Sequence, residues 1–332
     1  MQEAVPSLTS AGGVASNDAE VTPDRRKKSF GRVALVVKII ISGGLIVFLM
    51  MRHAPHTDDI KRFELAPFIA ALVVIGIQLL LNAMRWRILL KHCAENQKTY
   101  WRQFKIYYAS VFFAQILPSI GSDIVRALYY RKLGASLGRV SVSILLDRGI
   151  AIAALLLLVL MSLPFLAHFD GRSPFFWSIA VLSGGALAAA YIGCALVKIM
   201  QSLPIWRRLP APVCVLAADI TWVLTSHIAL TRVVPLSIIV HLMSVVALML
   251  VALSFHVPMS LASALTVGPA YLVAQVIPIS IGGWGVREAA AVVLFAAVGI
   301  PAASAMLISV AFGVIILIAS LPGALSWLLL RD

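Results

Sequence analysis

The sequence predicts an all-α protein that crosses a membrane several times, and three observations support that prediction. Hydrophobic residues make up 61% of the 332 residues and charged residues 12%, whereas soluble domains carry about a quarter charged residues. Apolar runs of about 20 residues, the length of a membrane-spanning helix, recur along the chain. The basic residues behind the net charge of +13 cluster between these runs. That clustering is typical of an orientation signal and not of a nucleic-acid partner.

Six apolar segments are long enough to form full spans. They are residues 33–51, 65–85, 140–166, 175–197, 233–255 and 303–330. Two further apolar segments, 106–120 and 261–281, are interrupted by Pro118 and Pro278. Because a proline breaks a helix, these two segments are not expected to cross the membrane.

The distribution of basic residues predicts how the segments are threaded. Residues 1–30 have no periodicity and include a basic run at 25–28, which predicts a disordered tail in the cytoplasm. Both flanks of 106–120 are basic, so this segment is expected to enter and leave the membrane on the cytoplasmic side as a re-entrant hairpin. Residues 213–230 are expected at the cytoplasmic interface. Segment 261–281 then enters from the outside, and the C terminus lies in the cytoplasm, so that residues 31–332 form one transmembrane domain.

One phrase of sequence occurs twice, about 160 residues apart. The two copies are Gln115-Ile-Leu-Pro118-Ser-Ile-Gly121-Ser-Asp123-Ile-Val-Arg126 and Gln275-Val-Ile-Pro278-Ile-Ser-Ile-Gly282-Gly283-Trp-Gly285-Val-Arg287-Glu288. Each copy belongs to a pattern of span, hairpin and span, at about 65–166 and about 233–330. The threading gives the two patterns opposite orientations. This predicts an inverted-topology repeat, the arrangement that places a transporter's substrate site near the membrane midplane.

The arginines of the two copies are the main candidates for binding. Arg126 and Arg287 follow the breaks and are expected at the start of the returning half-helices. There the free N–H groups and a guanidinium together suit an anionic head group. The alternative is that Arg126 pairs with Asp123, and Arg287 with Glu288 or a neighbouring carbonyl, to hold the hairpins in shape.

Charged residues elsewhere in the spans have two interpretations. Asp147 and Arg148 are expected to face the protein interior, where they either line the site or pair with Arg126 or Arg287. Arg85, with Trp86 and Arg87, is typical of an anchor at the membrane interface, or of a group that gathers anionic lipids.

Glycines and glutamines complete the candidate site. Gly121, Gly282 and Gly283 allow either a bend with close approach of a ligand or tight helix contacts, and Gly285 joins Pro118 and Pro278 as a hairpin break. Gln115 and Gln275 precede the prolines. Each is placed to satisfy carbonyls freed by the proline or to bond a polar head group.

Catalytic and metal-binding motifs are absent from the sequence. It contains no Walker loop, HExxH or GxSxG pattern, and its three cysteines lack ligand spacing, so neither ATP hydrolysis, proteolysis, a metal nor a cofactor is predicted. The protein is therefore expected not to be an enzyme. Its transport would be downhill or coupled to an ion, with Asp123, Asp147 and Glu288 as the carboxylates placed to relay a proton.

Residues 117–127, 141–148 and 278–289, followed by Gly299-Ile-Pro, resemble the lysylphosphatidylglycerol synthase transmembrane region family, which is also described as flippase-like. The resemblance covers about 65–330. It implies an integral protein of the bacterial inner membrane that moves a lipid or lipid-linked molecule between leaflets. In two-part members a cytosolic aminoacyltransferase domain modifies phosphatidylglycerol. This chain is expected to be a stand-alone member without that domain.

Three functions are compatible with these features. In the first, the protein is a translocase for an anionic or aminoacylated lipid, held by Arg126, Arg287 and Arg148. In the second, it is an accessory subunit that presents a lipid to a soluble glycolipid or hopanoid transferase. In the third, it is a solute carrier with a similar inverted repeat.

Overall fold

A computed structural model describes residues 40, 42–53, 62–94, 99–117, 119–170, 174–276 and 282–330. Over these ranges the secondary structure is helical, with no strand, which confirms the predicted all-α class. The helices of the first half are α1 (Ser42–Arg52), α2 (Leu65–Cys93), α3 (Tyr100–Ile116), α4 (Ser119–Lys132), α5 (Leu137–Asp170) and α6 (Pro174–Gln201). Those of the second half are α7 (Ala211–Thr225), α8 (Val234–Ser254), α9 (Leu261–Val276), α10 (Val286–Ala296), α11 (Ala302–Ser320) and α12 (Pro322–Leu328).

Five of the six predicted spans coincide with helices that are long and apolar enough to cross a membrane. These are Leu65–Cys93, Leu137–Pro164, Trp177–Gln201, Ala229–Ser254 and Ala302–Leu328. Of the sixth, at 33–51, the structure describes only α1 and Ile40, and the tail at 1–30 lies outside the described residues. The protein is therefore a polytopic membrane protein.

Apolar side chains cover the outer faces of these helices. On α6, Val181 is 69% exposed, Leu182 77% and Ile192 55%. In water such a surface would be an aggregation site, whereas in a bilayer it faces acyl chains that are equally apolar.

The core of the bundle lies between α2, α5 and the helices of the second half. Leu248, Tyr271, Phe295 and Phe312 are almost completely buried there. Small residues let the helices approach closely, since a Cβ on Gly268 of α9 would lie 3.0 Å from Val245 Cγ2 of α8.

The helices of the two halves pack reciprocally. α2 packs along α8, the helix at the same place in the other half. α9, the first helix of the second bend, packs against α5, while α3, the first helix of the first bend, packs against α11 and α12. A two-fold relation between repeats produces contacts of this reciprocal kind. The orientation of each half in the membrane stays a prediction.

Two segments differ in extent from the prediction. α2 continues to Cys93 and does not end near Arg85, so Arg85 lies about 12 Å from the helix end at 1.5 Å per residue. The segment 213–230 forms α7, a break at Ser226 and a π-helical turn that leads into α8. On α7, Asp219 is buried and accepts a 2.8 Å hydrogen bond from Arg139 at the start of α5.

Candidate functional site

The first bend joins α3 to α4, which pack against each other. Pro118, the predicted break, lies outside the described residues. Gly121 belongs to the first turn of α4, so it does not form the break itself. A Cβ on residue 121 would lie 2.6 Å from Leu117 Cβ, which is too close for two carbon atoms. Glycine is therefore needed here to make room for Leu117 and not for backbone freedom.

The second bend joins α9 to α10, which also pack against each other. Pro278 again lies outside the described residues. Gly282, Gly283 and Gly285 have φ angles of 58°, 79° and 87°, a left-handed backbone that residues with a Cβ rarely adopt. The glycine run therefore makes the turn, as predicted, and delays the start of α10 until Val286.

The two copies of the repeated phrase meet at the second bend. A Cβ on Gly282 would lie 3.6 Å from Gln115 Oε1, and one on Gly283 would lie 3.7 Å from Gln275 Cα. Gln115 thus faces the glycine run with its side-chain amide, whereas Gln275 approaches it with its backbone and Cβ. The described residues contain no hydrogen bond from either amide to a backbone carbonyl, so the predicted carbonyl-satisfying role is not seen there.

Five charged residues from α2, α4 and α5 form the first arginine cluster. They are Arg85, Asp123, Arg126, Asp147 and Arg148. Arg85 Nε donates to Asp147 Oδ1 at 2.9 Å, Arg126 Nη2 to Asp123 Oδ1 at 2.5 Å and Arg148 Nε to Asp123 Oδ2 at 2.5 Å. Among the described residues of this cluster, three arginines against two aspartates leave one positive charge in excess.

Arg126 is the centre of this cluster. It is 6% exposed, and its guanidinium lies 5.1 Å from the ring centroid of Trp86 and 5.3 Å from that of Tyr107. Its Nη1 is 3.5 Å from Asp147 Oδ2, which is an ion pair without a hydrogen bond. Neither Nη1 nor Nε has a hydrogen-bond partner in the described part of the chain. Two buried donors of this permanently charged side chain are therefore unsatisfied by the described residues.

The predicted position of Arg126 at a helix start is wrong. α4 begins at Ser119, so Arg126 lies about two turns inside the helix, beyond the free N–H groups of its first turn. Arg148 also differs from its expectation. Its side chain is 40% exposed and therefore only partly faces the interior.

Arg287 and Glu288 form the second arginine cluster with the side chains around them. Arg287 is 1% exposed and Glu288 is completely buried. Arg287 Nε donates to Glu288 Oε1 at 2.6 Å, and Glu288 Oε2 accepts the N–H of Gly285 at 2.5 Å. Arg287 is the second residue of α10, as predicted. The Gly285 N–H at that helix start, however, already donates to Glu288.

Three further side chains complete the second cluster. The Arg287 guanidinium lies 3.7 Å from the ring centroid of Trp284, and its Nη2 has no hydrogen-bond partner among the described residues. Ser309 Oγ donates weakly to Glu288 Oε1 at 3.4 Å and lies 2.9 Å from the Tyr271 hydroxyl. The cluster is electrically neutral.

Sequence reasoning missed two residues of these clusters. Arg85 was interpreted as an interface anchor, yet it is 4% exposed and bound to Asp147 and Ser237. Its seven-residue spacing from Gln78, which faces the bundle interior, was the available signal. Gly313 was not noticed at all. A Cβ there would lie 1.8 Å from Arg287 Nη2, so this glycine makes room for the guanidinium.

All three carboxylates that were candidates for proton relay are paired with arginines. Asp123 pairs with Arg126 and Arg148, Asp147 with Arg85 and Arg126, and Glu288 with Arg287. No cluster of three metal-ligating side chains occurs in the described ranges.

The family comparison agrees with the membrane-spanning fold. A family model described as lysylphosphatidylglycerol synthase TM region matches residues 35–323, and the chain belongs to that family. Both bends and both arginine clusters lie inside the matched region. No curated protein and no solved structure matched the chain.

Proposed function

We propose that the protein moves a lipid or lipid-linked molecule with an anionic head group between the leaflets of the bacterial inner membrane. Family membership supports a lipid-related membrane role, because the TM region is the non-catalytic, flippase-like part of these proteins. The choice of an anionic head group comes from the charges and the free hydrogen-bond donors of the first arginine cluster.

The single observation that carries this proposal is the state of Arg126. Burying a cation is costly unless it is paired and its donors are bonded. Arg126 is buried within a cluster whose described residues carry a net positive charge, and two of its guanidinium nitrogens lack partners among those residues. A phosphate would supply the missing negative charge and accept from a guanidinium fork. Arg287 Nη2 is a further donor without a partner among the residues that the structure describes.

An apolar groove favours a lipid over a water-soluble anion. A cavity of about 400 Å³ opens along α10, lined by Ala289, Ala290 and Val293 from α10 and by neighbours on α5, α6 and α9. Ala289 and Ala290 follow Arg287 by two and three residues. A phosphate at Arg287 would therefore leave acyl chains next to an apolar wall.

The two bends of the inverted repeat explain how a head-group site of this kind would be reached from both leaflets. Irregular backbone and charge at membrane depth are tolerated where they line a cavity, and inverted repeats expose such a site to each side in turn. In this proposal the repeats, at about 65–166 and 233–330, have opposite orientations. Rocking of one repeat against the other moves the head group.

The test is leaflet exchange of an acyl-labelled phospholipid in vesicles that contain the purified protein. We expect Arg126→Ala and Arg287→Ala to reduce exchange at least about tenfold, since each removes a charge-assisted contact worth roughly 1.5–3 kcal/mol. Arg126→Lys, which keeps the charge but loses the fork, is expected to fall between wild type and Arg126→Ala.

Arg131→Ala is the matched control, because Arg131 is an exposed arginine on the same helix as Arg126. Elution volume and melting temperature in detergent check that each variant is folded. Wild-type exchange rates in folded Arg126→Ala and Arg287→Ala would reject the site. Exchange that appears only with a soluble transferase present would support the accessory role instead.

A further inference from the structure

Five buried polar atoms without a hydrogen-bond partner come together outside the two arginine clusters. They belong to four side chains, Arg87 of α2, Tyr100 and Gln103 of α3, and Tyr130 of α4. The atoms are Arg87 Nη1, both tyrosine hydroxyls and both polar atoms of the Gln103 amide, and none is bonded within the described part of the chain. Folded proteins leave few buried polar atoms unsatisfied, so five in one place indicate a partner that these residues do not supply.

Several contacts bring the four side chains to one place. The Arg87 guanidinium lies 5.4 Å from the ring centroid of Tyr100 and is close enough to act electrostatically on Tyr130. The Gln103 amide lies beside the Tyr130 hydroxyl, although the two lack the geometry of a hydrogen bond. Tyr100 and Gln103 are three residues apart on α3 and therefore share a helix face. We call these four side chains the tyrosine cluster.

The tyrosine cluster is closed at one end and open at the other. Gln103 is 2% exposed and Tyr130 is completely buried, whereas Arg87 and Tyr100 are only partly buried. Arg102, the neighbour of Gln103, is exposed and adds positive charge to the surface beside the open end. A small anion that enters past the two partly buried side chains would reach the two buried ones.

Arg87 determines which kind of ligand suits this cluster. Among the described residues no carboxylate pairs with it, and the Tyr100 ring stabilises its charge without supplying an oxygen acceptor. Arg87 Nη1 and Gln103 Nε2 can only donate, and a tyrosine hydroxyl can donate as well. Water would satisfy the neutral groups but would bring no negative charge to the guanidinium. A phosphate supplies both the charge and several acceptor oxygens.

One aromatic ring separates the tyrosine cluster from the first arginine cluster. The Trp86 ring centroid lies 5.4 Å from that of Tyr130 and 5.1 Å from the Arg126 guanidinium. Arg126 and Tyr130 are four residues apart on α4, which corresponds to about 6 Å along the helix axis. The two clusters are therefore adjacent but have no side chain in common. An anion in one does not compete for the donors of the other.

We infer that the tyrosine cluster is a second phosphate-binding site, which takes the phosphate group of a lipid or of a soluble molecule. Arg87, Gln103 Nε2 and the Tyr100 hydroxyl donate to the phosphate oxygens. The Tyr130 hydroxyl, already beside Gln103, then donates to Gln103 Oε1, so that all five atoms are satisfied. This inference goes beyond the proposed function, because the site needs neither Arg126 nor lipid translocation.

The first experiment counts the phosphate groups that the purified full chain binds in an uncharged maltoside detergent. Dodecyl phosphate is titrated in a calorimeter, and dodecanol, which lacks the phosphate, is its match. We expect two equivalents for the wild type, one at Arg87 and one at Arg126. Arg87→Ala and Arg126→Ala should each weaken one equivalent at least about tenfold, since each removes a charge-assisted contact. Arg102→Ala, at an exposed arginine of α3, is the control and should keep both equivalents.

Inorganic phosphate is titrated in parallel to identify the source of the phosphate. If it fills the Arg87 equivalent as tightly as dodecyl phosphate does, the ligand is a soluble phosphate compound. If dodecyl phosphate binds there and inorganic phosphate does not, the ligand is a lipid. Both results support a phosphate site, whereas equal binding of dodecanol would overturn it. Chloride at the same ionic strength controls for screening.

Two milder variants test whether the unsatisfied atoms serve a ligand. Gln103→Leu and Tyr100→Phe remove polar atoms while keeping side chains of similar size. Without phosphate, both variants should melt at or above the wild-type temperature, because each loses a buried unsatisfied group. Their affinity for dodecyl phosphate should nevertheless fall about threefold or more, since each loses a hydrogen bond to the ligand. A purely structural role would lower the melting temperature and leave the affinity unchanged.

The outcomes separate this inference from the proposed function. If the wild type binds one equivalent, which Arg126→Ala alone removes, the second site is overturned and the proposed head-group site stands. If Arg87→Ala alone removes it, the second site stands and the proposed head-group site fails. Melting temperatures identify variants that do not fold. Wild-type affinity and count in folded Arg87→Ala, or wild-type affinity in both Gln103→Leu and Tyr100→Phe, would overturn the inference, as would a wild type that binds no phosphate.

Discussion

The two copies of the repeated phrase are similar in sequence, but their arginines have different surroundings. Arg126 lies inside α4 in a cluster with an excess positive charge, whereas Arg287 lies at the start of α10 in a neutral pair with Glu288. The cause is where each helix begins. α4 starts at Ser119, while the left-handed glycine run postpones the start of α10 to Val286.

This difference indicates a division of roles between the clusters. In the second cluster Glu288 accepts hydrogen bonds from both Arg287 and the Gly285 N–H. Most of the hydrogen bonds of this cluster therefore stabilise the bend. In the first cluster two donors of Arg126 and one unit of positive charge have no counterpart among the described residues. Of the two, the first is the better anion site. Three variants test this comparison.

The largest effect is expected from Asp147→Asn. Asp147 pairs with two buried arginines, Arg85 and Arg126, so its loss leaves both without that carboxylate. Removing one partner of a buried ion pair typically destabilises by about 3–5 kcal/mol. We expect Asp147→Asn to have a lower melting temperature in detergent than Glu288→Gln, because Glu288→Gln removes the carboxylate partner of only one arginine, Arg287. Glu64→Gln, at a side chain 54% exposed, is the control and should change stability little. Equal losses for Asp147→Asn and Glu288→Gln would contradict the comparison.

Gly313→Ala is expected to have an intermediate effect, confined to the second cluster. The added Cβ would lie within 2.3 Å of three atoms of the Arg287 guanidinium, which is too deeply buried to move aside freely. Overpacking of this kind costs about 1–3 kcal/mol.

Gly149→Ala, where nothing lies within 4 Å of the new Cβ, is the matched control for Gly313→Ala. It should be neutral or stabilise by up to about 1 kcal/mol, because alanine favours helices. A melting temperature of Gly313→Ala at or above that of Gly149→Ala would mean that Arg287 does not depend on this space.

Arg148→Gln should have the smallest effect. The Arg148 side chain is 40% exposed, and Asp123 keeps its pair with Arg126 when Arg148 is removed. The variant also removes the excess positive charge of the first cluster. We therefore expect nearly wild-type stability together with weaker lipid exchange. A large fall in melting temperature with unchanged exchange would assign Arg148 a purely structural role.

The sequence by itself determined the class of the protein, its long apolar segments and the bend of the second phrase. Hydropathy predicted the five long apolar helices, and the glycines of the second phrase predicted its bend. These features follow from local properties, namely the length of an apolar run and the backbone freedom of a residue, so neighbouring residues are sufficient to reveal them. The proline breaks fall outside the described residues.

Only the tertiary structure decided which charges meet. Arg85 and Asp147 are 62 residues apart in the chain, and Gly313 accommodates Arg287 from a different helix. The contact between Gln115 and Gly282 likewise joins two distant bends. Such pairings depend on which helix faces pack together, and that is set by the packing of the whole bundle and not by any local pattern.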